Sequence, residues 1–429
     1  MKVLIVGGGG REHAIAWKLR QSPGLSGLFC APGNAGVAAI AECVAIAADD
    51  IPGIVGFAKR EGVGLVVIGP EVPLAMGLAD AVEAEGIRVF GPNKKCARLE
   101  ASKAFTKAFL ARHGIPTAKY AEFTDKNELL SAVGLYGYPM VLKADGLASG
   151  KGVIIAETKA EAERAAEAIM GDKIFGAAGE RVIVEEYLTG VEASALCFVD
   201  ESAIVPMESA QDYKRVFDGD RGPNTGGMGA YSPSLVFTPE LETRIRGEIL
   251  TPAFDGFKKD GLDFRGVLFV GLMLTKEGPK VVEFNNRFGD PETQAVLPRL
   301  KTDILDIMLA VAENRLAGQK IEWDKRNSVC VVLASDGYPG AYETGERISG
   351  LDAVDGDILL FHAGTRFENG SPGGTQILTD GGRVLGLTAV AGSPEEARRR
   401  AYENVMKISF KGMRYRKDIG LLPKTARDL

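Results

Sequence analysis

Histidine and cysteine are scarce in this chain of 429 residues, which has three histidines (His13, His113, His362) and five cysteines, at 30, 43, 96, 197 and 330. The cysteines show no CxxC or Cys/His metal spacing, which argues against a structural zinc site and fits free thiols in a reducing cytoplasm. So few histidines also argue against a histidine-ligated zinc. No apolar run approaches the roughly 18 residues that a membrane span needs. The start, Met1-Lys2-Val3-Leu4-Ile5-Val6, runs straight into glycines and lacks the apolar region and cleavage site of a signal peptide. Net charge is -6, so no overall basic footprint points to nucleic acid. Repeats and low-complexity tracts are absent. What is there, 45% hydrophobic and 25% charged residues, is the composition of a soluble globular protein, and the length implies two to four domains.

The first hundred residues alternate short apolar strands (Lys2 to Val6, Leu28 to Cys30, Leu65 to Ile68, Arg88 to Phe90) with helical stretches around 11 to 21 and 74 to 85. That alternation predicts a doubly wound parallel sheet. Residues 97 to 113 read as one amphipathic helix stopped by Gly114 and Pro116. A smaller α/β unit follows, with helices at 125 to 133 and 158 to 170 and strands at Met140 to Lys143 and Arg181 to Glu185. Next come strands, a long polar, glycine-rich segment from Gln211 to Ser232, and a helix at 239 to 258. Near the end, Ser393 and Glu396 predict a capping box with Pro394 at the first helical position, and Ala397, Ala401, Val405 and Ile408 share the apolar face. Arg398-Arg399-Arg400 reads as the solvated face of that helix.

The most telling stretch is Val281-Val282-Glu283-Phe284-Asn285-Asn286-Arg287-Phe288-Gly289-Asp290-Pro291-Glu292. Glu283 and Asn285, two apart on a strand, share one face. Two oxygen donors there suit a hard cation that completes its shell with water and nucleotide phosphates. Arg287 beside them can stabilise charge on a phosphate or acyl phosphate.

Gly7-Gly8-Gly9-Gly10-Arg11-Glu12 follows a strand and opens a helix, but Glu12 takes the place of the third glycine of a dinucleotide fingerprint. Anion binding by backbone N–H groups at the helix start survives, with a sugar phosphate as a candidate ligand. Asp145 to Gly152 contains Gly-Lys but is one residue short of a P-loop, and Gly152 replaces its Ser or Thr. Next to Lys143 it reads as a flexible lid over nucleotide phosphates. Gln211-Asp212-Tyr213-Lys214-Arg215, with Gly222 to Gly229, joins acid, base and open amides in an anion pocket.

Taken together, these segments resemble the glycinamide ribonucleotide synthetase family of the ATP-grasp superfamily. The markers are G-G-R-E-H-A at 9 to 14, P-G-N-A-G at 32 to 36, G-P-E at 69 to 71, S-K-A-F-T-K at 102 to 107 and K-A-D-G-L-A-S-G-K-G at 143 to 152. They continue with G-P-N-T-G-G-M-G-A-Y-S-P at 222 to 233, E-F-N-x-R-F-G-D-P-E at 283 to 292, F-H-A-G-T at 361 to 365 and R-K-D-I-G at 416 to 420. The resemblance implies a multidomain α/β and α+β chain: a doubly wound N-terminal domain (1–99), an ATP-grasp central domain (100–121 and 188–323) with a small lid domain (122–187), and a mixed C-terminal domain (324–429).

It further implies ATP-dependent joining of glycine to 5-phosphoribosylamine in purine biosynthesis, with Mg²⁺ or Mn²⁺, and with neither nucleic acid nor membrane as partner. A monomer or small homo-oligomer is expected. By resemblance, Lys103, Lys143, Gly150, Lys151, Gly152, Glu185, Tyr187, Leu188 and Glu192 bind ATP, and Glu283 and Asn285 bind the metal. Arg287, Asp212, Lys214 and Asp290 are the expected catalytic residues. Gly9, Gly10, Arg11, Glu12, Gly33, Asn34, Glu71, Gly226, Gly227, Gly289, Pro291 and Glu292 are the expected substrate ligands. Tyr213 stands where the family often has His, so no proton transfer is assigned to it, and Asn286 occupies a variable position. Two alternatives remain open: an ATP-grasp ligase for another acid or amine, and a nucleotide-binding oxidoreductase.

Overall fold

The computed structural model describes residues 1–147, 152–368 and 376–421. The N-terminal region forms a five-stranded parallel sheet ordered Glu42–Cys43, Gly27–Pro32, Lys2–Gly7, Leu65–Ile68, Arg88–Phe90. Its two central strands are apolar and buried from Val3 to Val6 and from Leu65 to Ile68 because both faces are covered. Leu4, Val6, Val66 and Ile68 pack on helices Ile51–Glu61 and Leu78–Glu83. Val3, Ile5, Leu65 and Val67 face the other way, into a core that also contains Leu196, Phe198, Phe269, Phe288 and Met308. The N-terminal sheet therefore shares its interior with the next unit.

That unit is an antiparallel sheet ordered Ile204–Pro206, Val191–Val199, Gly266–Thr275, Gly278–Asn285. Its second face packs on helices Lys103–Arg112 and Thr251–Lys259. A smaller antiparallel sheet, ordered Tyr120–Phe123, Val182–Glu186, Met140–Ala144, Val153–Ala156, has a separate core with helix Lys159–Ala166. Met140, Leu142, Ala144, Val182 and Val184 fill that core. The two-residue period then turns Lys143 and Glu185 to the opposite face.

Four features depart from the sequence reading. The expected helix 97–113 is two helices, Lys94–Ala101 and Lys103–Arg112, broken at Ser102, whose extended backbone (φ -133, ψ 111) lets its hydroxyl accept from Phe105 N–H at 3.1 Å. Serine competes with the helix ladder in this way. Helix Ile51–Glu61 was not expected, since Pro52-Gly53 obscures its pattern, yet Asp50 caps it through Gly53 N–H and Gly62 ends it at φ 65. The polar stretch Gln211–Ser232 contains strands Gln211–Asp212 and Gly229–Ser232, which continue a sheet through Asn327–Ala334, Arg383–Ala391 and Leu359–His362. That sheet crosses the division drawn at 323/324. Finally, Arg398 and Arg400 do more than face solvent, because they hold Ile419 O, Lys417 O and Asp357.

The C-terminal helix Pro394–Val405 starts at Ser393, which accepts from Glu396 N–H, and buries Ala397, Ala401 and Val405. Replacing the other capping serine tests the break in the earlier helix. Ser102→Ala is expected to lower stability by about 1 kcal/mol and Ser102→Gly by only a few tenths. Equal urea midpoints for Ser102→Ala and wild type would remove the cap from the account.

Candidate active site

The strand Gly278–Asn285 places Glu283 opposite Gly271, where an added Cβ would come within 3.1 Å of Glu283 Cγ. Phe284 enters the core, so Glu283 and Asn285 face the cleft together, with Asn285 Nδ2 donating to Glu283 Oε1 at 3.4 Å. Burial favours the neutral acid at Glu283, but Lys214, Lys143 and Lys103 overcome it and hold the carboxyl below its ordinary pKa. Among the described residues no group of three or more His, Cys, Asp and Glu side chains could hold a metal ion. A carboxylate and an amide suit an ion that draws its other ligands from water and phosphate. Asn285 Oδ1 accepts from Arg287 Nη2 at 3.3 Å, and turning the amide by half a revolution would present that oxygen beside Glu283.

Arg287 is fixed by carboxylates from two helices: its Nη2 lies 3.0 Å from Glu100 Oε1 and its Nε 3.4 Å from Glu71 Oε2. Burial alone would weaken its charge, but Glu100 and Glu71 more than restore it. Glu100 also accepts from Asn286 N–H at 2.7 Å, and burial raises its pKa. Burial pulls the Glu71 carboxyl up too, but Arg287 and Arg11 bring it below the ordinary value.

On the lid side, Lys143 Nζ lies 2.9 Å from Glu185 Oε1 and Lys107 Nζ 3.1 Å from Glu185 Oε2, all three side chains buried. Burial lowers Lys107 to about 8. Lys103 Nζ donates to Gly146 O at 3.0 Å. Gly152 accepts from Ala144 N–H, whereas Gly150 and Lys151 lie outside the described residues. Tyr187 and Leu188 leave the sheet just after Glu186, Tyr187 being exposed. Glu192 reaches Lys214, Nζ to Oε2 3.4 Å.

Asp212 is buried with Ser194 Oγ 3.4 Å away, and burial raises its pKa. Glu292, 3% exposed, is pushed up to about 8 by burial first and the Asp212 charge second. Asp290 accepts from Gln294 Nε2 at 2.8 Å and lies 3.3 Å from Arg383 Nη1. Burial notwithstanding, Arg383 and Arg11 hold its pKa down. The same Nη1 donates to Gly226 O and Asp290 O, both at 2.7 Å. Gly227 (φ +113) packs so closely that a Cβ would lie 2.3 Å from Pro291 Cδ, and one at Gly289 would lie 2.4 Å from Glu292 Oε2.

The N-terminal loops are more tightly committed than the sequence suggested. Glu12 folds back on its own helix: Oε2 accepts from Gly9 N–H at 2.6 Å and Oε1 from Arg11 Nε at 2.6 Å. The Gly9 amide, expected to meet an anion, is thus capped by a carboxylate, while Gly10 lies beside Gln294. Arg11 Nη1 donates to Phe288 O at 3.1 Å, which joins this loop to the turn after the strand. Asn34 donates to Gly8 O and His362 O and accepts from Gly36 and Val37 N–H. Both ends of its side chain are in use, so Asn34 shapes the loop beside Gly33 instead of offering a free ligand. Tyr213 faces the C-terminal core, where its hydroxyl accepts from Gly420 N–H at 3.0 Å.

The structure thus gathers Glu283, Asn285, Arg287, Asp290, Glu292, Asp212, Lys214, Lys103, Lys143, Glu185 and Glu71 around one cleft. Lys107, Glu100, Gln294 and Arg383 were not foreseen as site residues. The four-residue spacing from Lys103 to Lys107, one helix face, could have revealed Lys107. No local pattern marks Arg383, which arrives from a strand almost a hundred residues downstream.

The elevated Glu292 pKa gives a signed expectation. Its folded value of about 8 exceeds the ordinary 4.5, so the contribution is fully present below about pH 4.5 and is lost as pH rises through 8. Wild type should lose stability relative to Glu292→Gln between about pH 4.5 and 8 in urea titrations, with no further relative loss above that. Parallel pH profiles would show that Glu292 titrates normally.

The chain matches three family models: the N domain (residues 1–100), the ATP-grasp (A) domain (101–293) and the C domain (328–422) of phosphoribosylglycinamide synthetase. A protein of Allochromatium vinosum named phosphoribosylamine–glycine ligase is 51% identical over 424 residues, covering 98% of both chains. The trifunctional purine biosynthetic protein adenosine-3 of Gallus gallus is 49% identical over 98% of this chain and 42% of its own. The crystal structure of phosphoribosylamine–glycine ligase from Thermotoga maritima has a TM-score of 0.84 at 36% identity, over 97% of this chain and 100% of that one. Biotin carboxylase from Campylobacter jejuni, at 15% identity and TM-score 0.75 over 100% of this chain and 96% of its own, shares the fold. The chain belongs to the phosphoribosylglycinamide synthetase family, the same family that its motifs resemble.

Proposed function

We propose that the chain is a phosphoribosylamine–glycine ligase of purine biosynthesis: it joins glycine to 5-phosphoribosylamine at the expense of ATP, through glycyl phosphate, releasing ADP and phosphate. The observation that carries this reading is the convergence of Glu283, Asn285 and Arg287 with three lysines in a chain half identical to enzymes of that name over its full length. ATP would lie between the lid and central sheets. Lys103 and Lys143 would take its phosphates, the Glu185 to Leu188 segment its base, and Glu192 its ribose. The divalent ion, Mg²⁺ or Mn²⁺, would be held by Glu283 and Asn285 and would neutralise charge between the phosphates. Gly150, Lys151 and Gly152 would contribute to ATP binding.

Phosphoryl transfer to the glycine carboxylate brings anions together, and positioning with neutralisation is most of what a protein can contribute. Arg287, held charged by Glu100 and Glu71, would balance the acyl phosphate. Attack by the amine then generates a tetrahedral oxyanion, for which Arg287 and the amides of Gly226 and Gly227 are the candidate donors. Asp212, Lys214, Asp290 and Glu292, with Gly289 and Pro291, form the wall against which glycine and the amine meet. Gly10, Arg11 and the Gly33 loop, with Glu71, would hold the sugar phosphate, while Glu12, which caps Gly9, would shape the first loop. No helix among the described residues is long and apolar enough to cross a membrane, and the five cysteines are unpaired, which supports a cytoplasmic setting. We expect a monomer or small homo-oligomer.

Purified protein should release ADP only when both glycine and freshly generated phosphoribosylamine are present. ADP release without either one would overturn the assignment, and turnover with another acid would redirect it. Glu283→Gln is expected to lower kcat/KM for metal–ATP by about 100-fold or more, with an unfolding midpoint close to wild type. Normal activity of that variant at low Mg²⁺ would remove Glu283 from the metal site.

A further inference from the structure

The marker Phe361 to Thr365 lies about 350 residues from the glycine-rich loops yet touches both of them. His362 N–H donates to Nδ1 of His13 at 2.8 Å, and His362 O accepts from Asn34 Nδ2 at 2.8 Å. Thr365 Oγ1 lies 3.0 Å from His362 Nδ1, and Thr365 O accepts from Ala35 N–H at 3.3 Å. Asn34 Nδ2 also reaches Gly8 O at 2.9 Å, so one amide ties the second loop to the first. Gly36 sits against the two imidazoles, where a Cβ would come within 2.5 Å of each ring. Phe361 stacks edge-on against His13 and Trp17, with centroids 5.7 and 5.9 Å apart.

Neither imidazole is exposed, and neither can act on a ligand directly. Burial and the neighbouring His362 bring His13 down to about 3, and burial brings His362 down to about 4. Both rings are therefore neutral near pH 7, and the acceptor role of His13 Nδ1 puts its proton on Nε2. The contact is a fixed joint.

We propose that His13 and His362 are positioning residues: with Thr365 they clamp the loop Gly33 to Val37 in the shape that receives the sugar phosphate of the amine substrate. This rests on the reading that the N-terminal loops bind that phosphate. The C-terminal segment would then set affinity for one co-substrate and leave the nucleotide and glycine sites untouched.

His13→Leu removes the acceptor and strands a buried N–H, whereas His13→Asn keeps an acceptor near the same place. His13→Leu is expected to raise the KM for phosphoribosylamine about tenfold, with kcat and the KM values for ATP and glycine within about twofold of wild type. His13→Asn should restore that KM to within about threefold of wild type, and Thr365→Val, a milder change that keeps the fold, should raise it about threefold. Calorimetry with ribose 5-phosphate as the probe should show the same order. A wild-type KM for phosphoribosylamine in both His13→Leu and Thr365→Val, or equal changes for all three substrates, overturns the clamp while leaving the ligase reading in place. Failure of the wild-type protein to make glycinamide ribonucleotide overturns the ligase reading itself, and the clamp with it.

Discussion

The guanidinium of Arg287 sits where three parts of the chain meet, and its charge requires the carboxylates around it. A buried cation without partners is costly, and removing one member of such a pair typically costs 3–5 kcal/mol. Glu71 opens a helix of the N-terminal domain, Glu100 belongs to the next helix but one, and Asn285 ends the central strand. One side chain therefore ties two helices of the N-terminal domain to the end of the central antiparallel strand. Around it charge alternates: Glu283 among lysines, Asp290 against Arg383 and Arg11, and Glu292 beside Asp212 with Lys214 near. Such an arrangement holds anions that would otherwise repel each other.

The C-terminal region, which supplies no expected site residue, nonetheless governs the site's shape. Arg383 gathers the carbonyls of Gly226 and Asp290, so one guanidinium ties the glycine-rich loop to the Asp290-Pro291 turn. His362 and Thr365 do the same for the two N-terminal loops. The shared sheet that runs from Gln211–Asp212 to Leu359–His362 makes these supports rigid. Preorganisation of this sort lets donors act without rearranging as charge develops.

Much of this was legible in the sequence where local periodicity is strong. The two-residue spacing of Glu283 and Asn285 placed both on the cleft, and the apolar strands announced a parallel sheet covered on both faces. Legibility ended where tertiary contacts decide. Ser102 breaks a helix that its neighbours alone would continue, because its hydroxyl finds Phe105 N–H. Gly229–Ser232 is a strand because Asn327–Ala334 pairs with it, and Gln211–Asp212 pairs in turn with Gly229–Ser232; polar, glycine-rich segments carry no strand pattern of their own. The motifs point to Asn34 and Glu12 as substrate ligands, and their side-chain polar atoms are hydrogen-bonded within the protein. The substrates themselves came from resemblance, not from spacing.

Everything depends on the end of the central strand being where the terminal phosphate of ATP meets the glycine carboxylate. Crystals grown with Mn²⁺, a non-hydrolysable ATP analogue and glycine would test this through the anomalous signal of the metal. The expected map has a manganese peak within bonding distance of Glu283 and Asn285, with the glycine carboxylate against Arg287. A manganese peak away from both side chains, with glycine density remote from Arg287, would contradict it.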